Sequence, residues 1–197
     1  MVVVFDTPQS HPCQLRVAVA TFPLYPLREG FIAAVYCAKE ENRLIQLRSG
    51  NITEQRVEAL VNPINCHGML EPGPALQFRE AFPANFVSYR RACRLRKIPL
   101  EEPYVVPLTP EEKDRPRYIF NLPIKRTGRR PAQPENIRKG LAALVRTCRD
   151  LGVHSIALPP LGMEPGGLDW DSIQKILTDA FAKSGLEVTL VHPAQES

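Results

Sequence analysis

The chain has 197 residues, of which 44% are hydrophobic and 23% charged, which is the composition of a globular domain with a core of its own. These proportions exclude a disordered or collagen-like chain, and no apolar run approaches the roughly 18 residues that a membrane span needs. The 20 prolines predict a fold with many turns and restricted helix starts.

The formal net charge is +4, and the basic excess is concentrated in residues 90–97 and 125–130. Such clusters are compatible with an anionic partner such as nucleic acid, and equally with a solvated helix face followed by a loop. The five cysteines are scattered and never form a C-x-x-C pair, which argues against a disulfide framework or a zinc site. We therefore expect a cytoplasmic protein that needs no metal and no cofactor.

Residues 1–42 consist of short apolar runs separated by prolines, which predicts a β-rich N-terminal extension. We expect this extension to pack on a main domain formed by residues 43–193. In that domain, alternating apolar patterns and turn signals predict elements in the following order. Strands are predicted at 43–47, 57–65, 104–108, 118–122, 154–159 and 187–191, and helices at 75–96, 134–152 and 170–184.

The helical pattern of residues 75–96 is broken at Pro83, so either one long helix or two short ones are expected. In the second half of the chain, strands and helices alternate, which predicts an α/β fold with a mixed, mostly parallel central sheet between two helical layers. Ligands of such sheets bind outside the carboxyl ends of the strands.

Two glycine-containing loops follow buried strands in this arrangement. The first covers residues 62–75 and leads directly into a helix, and the second covers residues 162–168 and precedes Asp169, a typical helix N-cap. Glycines allow close backbone approach, and a helix N-terminus offers free amide donors, so both loops suit phosphate groups. One such loop alone is more often only a turn.

Several strings within these elements resemble the macrodomain family, which binds ADP-ribose. They are GNIT (50–53), ALVNPIN (59–65), ALQFR (75–79), ALPPLG (157–162) and GGLDW (166–170). The strings QFREAFPANF (77–86) and NLPIK (121–125) are similar to the DarG-like and TARG-like branch of ADP-ribosyl glycohydrolases. The resemblance implies a three-layer α/β/α macrodomain over the main domain.

The resemblance also implies an enzyme that removes ADP-ribose from a modified macromolecule, either a DNA base such as thymidine or an acidic side chain of a protein. In this branch the catalytic positions correspond to Lys125 and Asn62, and a toxin is a possible partner. The positions implied to bind ADP-ribose are Asn51, Ile52, Asn65, Cys66, His67, Gly68, Gly73, Ala75, Phe120, Leu161, Gly162, Met163, Gly166, Gly167 and Leu168. From spacing alone, the pattern favours a surface cation at Lys125, and packing or ligand-lining roles for Cys66 and His67.

Three departures from the family pattern favour a second hypothesis. Asn51 stands where relatives have an acidic residue, Glu71 and Pro72 replace part of a Gly-Lys-Gly-type turn, and residues 163–165 replace small residues. Proline removes an amide donor and Glu71 adds negative charge near the expected phosphates. The alternative is therefore a reader module that binds ADP-ribose without cleaving it, and a third hypothesis is a divergent domain that has lost the pocket and holds a protein partner through residues 1–43.

Overall fold

The computed structural model describes residues 45–109, 116–128, 130–163 and 166–192, which all belong to one compact unit, Ala38–Ser197. The predicted extension, residues 1–42, lies outside the described residues. The described chain forms six strands and four helices. The strands are β1 (Ile45–Ser49), β2 (Ala59–Asn65), β3 (Tyr104–Pro107), β4 (Tyr118–Lys125), β5 (Ser155–Leu158) and β6 (Glu187–His192). The helices are α1 (Pro74–Ala81), α2 (Pro83–Arg94), α3 (Pro134–Leu151) and α4 (Trp170–Phe181).

All six strands join one sheet in the order β1-β6-β5-β2-β4-β3. Each neighbouring pair is parallel except β3 with β4, so the predicted mixed, mostly parallel sheet is confirmed. The carboxyl ends of β2, β4, β5 and β6 therefore lie along the same edge. The register between β2 and β4 is regular up to the pair Ile64 and Pro123, and then shifts so that Asn65 pairs with Lys125.

The helices cover both faces of the sheet, which makes the three α/β/α layers expected from the sequence. Side chains alternate between the faces of a strand, and β4 shows this directly. Phe120, Leu122 and Ile124 pack in the larger core with α3 and α4. Ile119 faces the other way, into a smaller core that includes Phe78 of α1.

Prolines set the boundaries of three helices. Pro134 opens α3 and Gly152 ends it in the left-handed conformation, at φ 62°. Pro83 begins α2 immediately after α1, because the missing amide hydrogen prevents one continuous helix. Of the two arrangements left open by the sequence, the chain adopts two short helices. None of the helices in the described ranges is long and apolar enough to cross a lipid bilayer.

Strand β4 extends past its predicted end at Leu122 to Lys125, although it contains Pro123. The neighbouring β3 pairs only as far as Asn121, so on that side no ladder bond needs the missing amide of Pro123. The additional residues carry Lys125 to the end of the strand.

Candidate functional site

A cavity of about 320 Å³ opens at the carboxyl edge of the sheet, a size at the lower end of the range of ligand pockets. Both glycine-containing loops contribute to its wall. It is lined by Pro63, Ile64, Asn65, Met69, Glu71, Pro72, Pro74, Ala75, Tyr89, Ile124, Lys125, Pro160, Gly162, Met163 and His192. Five predicted site residues are among them: Lys125, Asn65, Ala75, Gly162 and Met163.

Lys125, the last residue of β4, lines the cavity and contributes an amine to it. Its side chain is only 9% exposed, and its Nζ lies 2.7 Å from Oε2 of Glu71. The other carboxylate oxygen of Glu71 accepts a hydrogen bond of 2.6 Å from Nδ2 of Asn65. Asn65 is itself fixed, because its Oδ1 accepts from the backbone amides of His67 and Met69. The Glu71 carboxylate thus connects the end of β2, at Asn65, with the end of β4, at Lys125.

Asn62, predicted to be catalytic, is buried and is not among the residues that line the cavity. Its Nδ2 donates to Oδ1 of Asn121 at 2.8 Å, and Asn121 in turn exchanges hydrogen bonds with Asn85 on α2. Oδ1 of Asn62 is the one buried side-chain polar atom among the described residues for which no hydrogen-bond partner is found. An unpaired buried acceptor of this kind is costly, and it marks a place where a ligand hydroxyl or a water molecule would bond.

The first loop brings few of its other predicted residues to the cavity. Cys66 is partly buried, and burial raises the pKa of its thiol, so the protonated form predominates and the sulfur is a poor nucleophile. His67 is exposed. Gly68 has φ 69° and packs so tightly that a Cβ there would lie 3.2 Å from Cβ of Cys93. Gly73 caps α1 and is exposed.

The second loop divides between core and surface. Leu161 is fully buried in the larger core, and Gly162 turns the chain at φ 72°. Met163 lines the cavity and is 40% exposed. Beyond it, Gly166 and Gly167 are exposed, and the amide of Leu168 closes the loop by donating to the carbonyl of Gly162 at 2.7 Å.

Three predicted ligand contacts lie away from the cavity wall. Asn51 uses its Oδ1 to accept hydrogen bonds from the amide and hydroxyl of Thr53, which caps a single turn of 3₁₀ helix at Ile52–Glu54. The side chain of Ile52 is buried in the smaller core. Phe120 is buried in the larger core, with its ring stacked on Tyr118, so it offers no face to a ligand at the cavity.

Two side chains of the wall, Tyr89 and His192, lie outside the predicted loops and the strings that resemble the family. Tyr89 lies on α2, within the predicted helix 75–96, and its burial raises the pKa of the phenol to about 12, so it stays protonated. His192 ends β6, one residue beyond the predicted strand, and its ring lies 4.6 Å from that of Trp170. Burial lowers the pKa of His192 and favours the neutral ring. The rule that ligands bind at strand ends was the available signal for His192.

Over the described part of the chain, no three side chains of His, Cys, Asp or Glu come together as a metal site would require. The polar side chains at the cavity carry an amine, a carboxylate, an amide, a phenol and an imidazole.

Comparison with known proteins places these features in a family. Residues 61–177 match the family described as Macro domain. A DNA ADP-ribosyl glycohydrolase of Thermus aquaticus is 39% identical over 153 residues, which are 77% of this chain and 42% of the relative. A DNA ADP-ribosyl transferase-DNA ADP-ribosyl glycohydrolase fusion protein of Thermosipho africanus is 21% identical over 165 residues, again 77% and 42%. The chain thus spans about two fifths of the length of the curated relatives it matches.

Solved structures give the same result. The macrodomain of Thermus aquaticus DarG is 40% identical with a TM-score of 0.68, and the match covers 76% of this chain and 99% of that one. The macrodomain of Mycobacterium tuberculosis DarG is 35% identical with a TM-score of 0.70, covering 76% and 98%. This chain belongs to the macrodomain family.

Proposed function

We propose that this protein is an ADP-ribosyl glycohydrolase that removes ADP-ribose from modified DNA. The observation that carries the proposal is the buried amine of Lys125 in a cavity shared by both glycine-containing loops. The relatives named as DNA ADP-ribosyl glycohydrolases support the choice of reaction and substrate.

Lys125 is the proposed nucleophile. A lysine that is largely withdrawn from water can attack the anomeric carbon of a ribose and form a Schiff base with the opened sugar. Asn65, on the wall beside it, holds the Glu71 carboxylate next to this amine, since its Nδ2 donates to the other carboxylate oxygen. Asn62 would act through its Oδ1, the acceptor that lacks a partner among the described residues.

The distribution of charge favours DNA over protein as the macromolecule. Arg90, Arg91 and Arg94 are exposed on α2, and two more basic residues, at 96 and 97, follow the helix. Arg90 borders the first loop, because its Cα lies 3.5 Å from the position of a Cβ on Gly68. A cationic helix next to the cavity would attract a phosphate backbone and hold the modified strand near Lys125.

The test compares release of ADP-ribose from modified single-stranded DNA and from protein modified on glutamate. Wild type is expected to release it from DNA, and Lys125→Ala to lose the activity by a factor of about a hundred or more. Lys139→Ala is the matched control, since this lysine is exposed on α3 and outside the cavity wall. Full activity of Lys125→Ala would refute the catalytic role of the lysine.

A reader module remains the second candidate, and the changed first loop favours it, because Glu71 and Pro72 leave fewer amides and more negative charge for a diphosphate. The same experiment separates the two functions. Tight binding of modified DNA with no release by wild type would establish the reader and exclude the hydrolase.

A transferase that attaches ADP-ribose to DNA is the partner that this reaction requires, because it must supply the substrate. The Thermosipho africanus relative, named as a fusion of transferase and glycohydrolase, supports such a toxin partner for this chain. The cytoplasm, where modified DNA would be met, is the proposed location.

A further inference from the structure

The sequence predicts only that Glu71, in the first loop, weakens binding of a diphosphate. In the structure, both oxygens of its carboxylate have a partner. Oε2 lies 2.7 Å from Nζ of Lys125, and Oε1 lies 2.6 Å from Nδ2 of Asn65. Two charge-assisted contacts of this length fix the carboxylate in one orientation. Glu71 is therefore part of the cavity wall at the amine itself.

The pair is asymmetric in its access to water. The side chain of Lys125 is 9% exposed and that of Glu71 is 29% exposed. A carboxylate beside a largely buried amine can exchange protons with it and with molecules in the cavity. A general base must lie within hydrogen-bond distance of the proton that it removes, and the Glu71 carboxylate meets this condition for the Lys125 amine.

The loop after β4 is shaped around the same carboxylate. A Cβ on Gly128 would lie 3.0 Å from Oε1 of Glu71, tighter than nine in ten real contacts of a Cβ atom. A side chain at residue 128 would therefore shift the carboxylate by a few tenths of an ångström. Three separate segments, at Asn65, Lys125 and Gly128, thus accommodate one side chain.

We infer that Glu71 is the general base that takes a proton from Lys125, an inference that rests on the proposed hydrolase function. The proton passes from Nζ to Oε2, and the freed lone pair forms a bond to the anomeric carbon of the ribose. The bond from that carbon to the modified base breaks, and the departing base takes the proton held by Glu71. One water molecule then hydrolyses the lysine adduct, which releases ADP-ribose and returns the ammonium.

The alternative to a general base is that Glu71 only obstructs the cavity and repels the diphosphate of the ligand. The two roles predict opposite results when the charge is removed. As a base, Glu71 is needed for turnover and its loss leaves binding nearly unchanged. As an obstruction, its loss tightens binding and leaves turnover equal or faster.

The experiment measures single-turnover release from modified DNA and the Kd of ADP-ribose for the full chain. Glu71→Gln is expected to lower the rate by a factor of about a hundred, while Kd changes by less than about threefold. Glu71→Asp, which keeps the carboxylate, is expected to retain more activity than the glutamine variant. Glu80→Gln, an exposed carboxylate on α1 next to Arg79, is the control and should behave as wild type.

A second measurement separates catalysis from folding. In Glu71→Ala, added formate should restore part of the rate, because a small carboxylate can enter the space left beside Lys125, and a merely structural residue would give no such rescue. Wild-type rate with tighter binding in Glu71→Gln, or no response to formate in a folded Glu71→Ala, would overturn the inference and leave the hydrolase standing. If wild type itself releases nothing, the proposed function fails, and this inference with it.

Discussion

Gly162, at the turn of the second loop, is the position where the effect of one added methyl group can be worked out from the structure. Its φ is 72°, a conformation that costs an L-residue about 1–2 kcal/mol. A Cβ there would also lie 2.7 Å from Cδ1 of Ile137, closer than real contacts allow. Ile137 is fully buried in the larger core, so its displacement adds an overpacking cost of about 1–3 kcal/mol. Gly162→Ala should therefore lower the free energy of unfolding by about 2–5 kcal/mol.

Gly166 provides the matched control because it shares the loop and the backbone conformation, at φ 77°, but a Cβ there would meet nothing within 4 Å. Urea denaturation of Gly166→Ala should show only the backbone cost of about 1–2 kcal/mol. The difference between the two variants isolates the contact with Ile137. Equal losses in both variants, within the error of the extrapolation, would refute the steric argument.

Two further predictions concern pH and DNA. Burial lowers the pKa of His192, so as the pH falls the unfolded chain binds a proton before the folded chain does, and stability should decrease as the pH falls through the ordinary value of about 6.5. Urea denaturation should show a smaller decrease in His192→Gln, and an identical decrease would contradict the assignment. Reversing two charges on α2, in Arg91→Glu/Arg94→Glu, should weaken binding of single-stranded DNA and reduce the slope of log K against log salt by about 1.4, whereas Arg138→Glu/Lys175→Glu, on the opposite layer, should keep the wild-type slope.

The order and type of the elements were predictable because periodicity and helix signals agree along most of the main domain. Pro134 and Gly152 bound α3 as their chemistry predicts. The end of β4 was not predictable, because the cost of Pro123 depends on how far the neighbouring strand extends, and that is a tertiary property. Whether Pro83 bends or divides a helix is likewise decided by packing.

The candidate site was predicted by location more accurately than by residue. The strand-end rule led to both loops and the family resemblance led to Lys125 and Asn65, and the structure brings these to one cavity. Phe120 was predicted to contact the ligand, although alternation along β4 assigns it to the core face with Leu122 and Ile124. The pairing of Glu71 with Lys125 joins distant parts of the chain, and no local pattern encodes it.

The shift of register at the end of β2 has a consequence for how this site tolerates changes in chain length. Had the pairing of Ile64 with Pro123 simply continued, Asn65 would stand opposite Ile124, a core residue. The additional residue in β4 puts Lys125 there instead. Deleting a single residue earlier in β4 would leave the rest of the strand's sequence intact but reverse which face each later side chain meets, and would turn the amine toward α3 and α4. The position of the Lys125 amine therefore depends on the number of residues in β4 as well as on which residues they are.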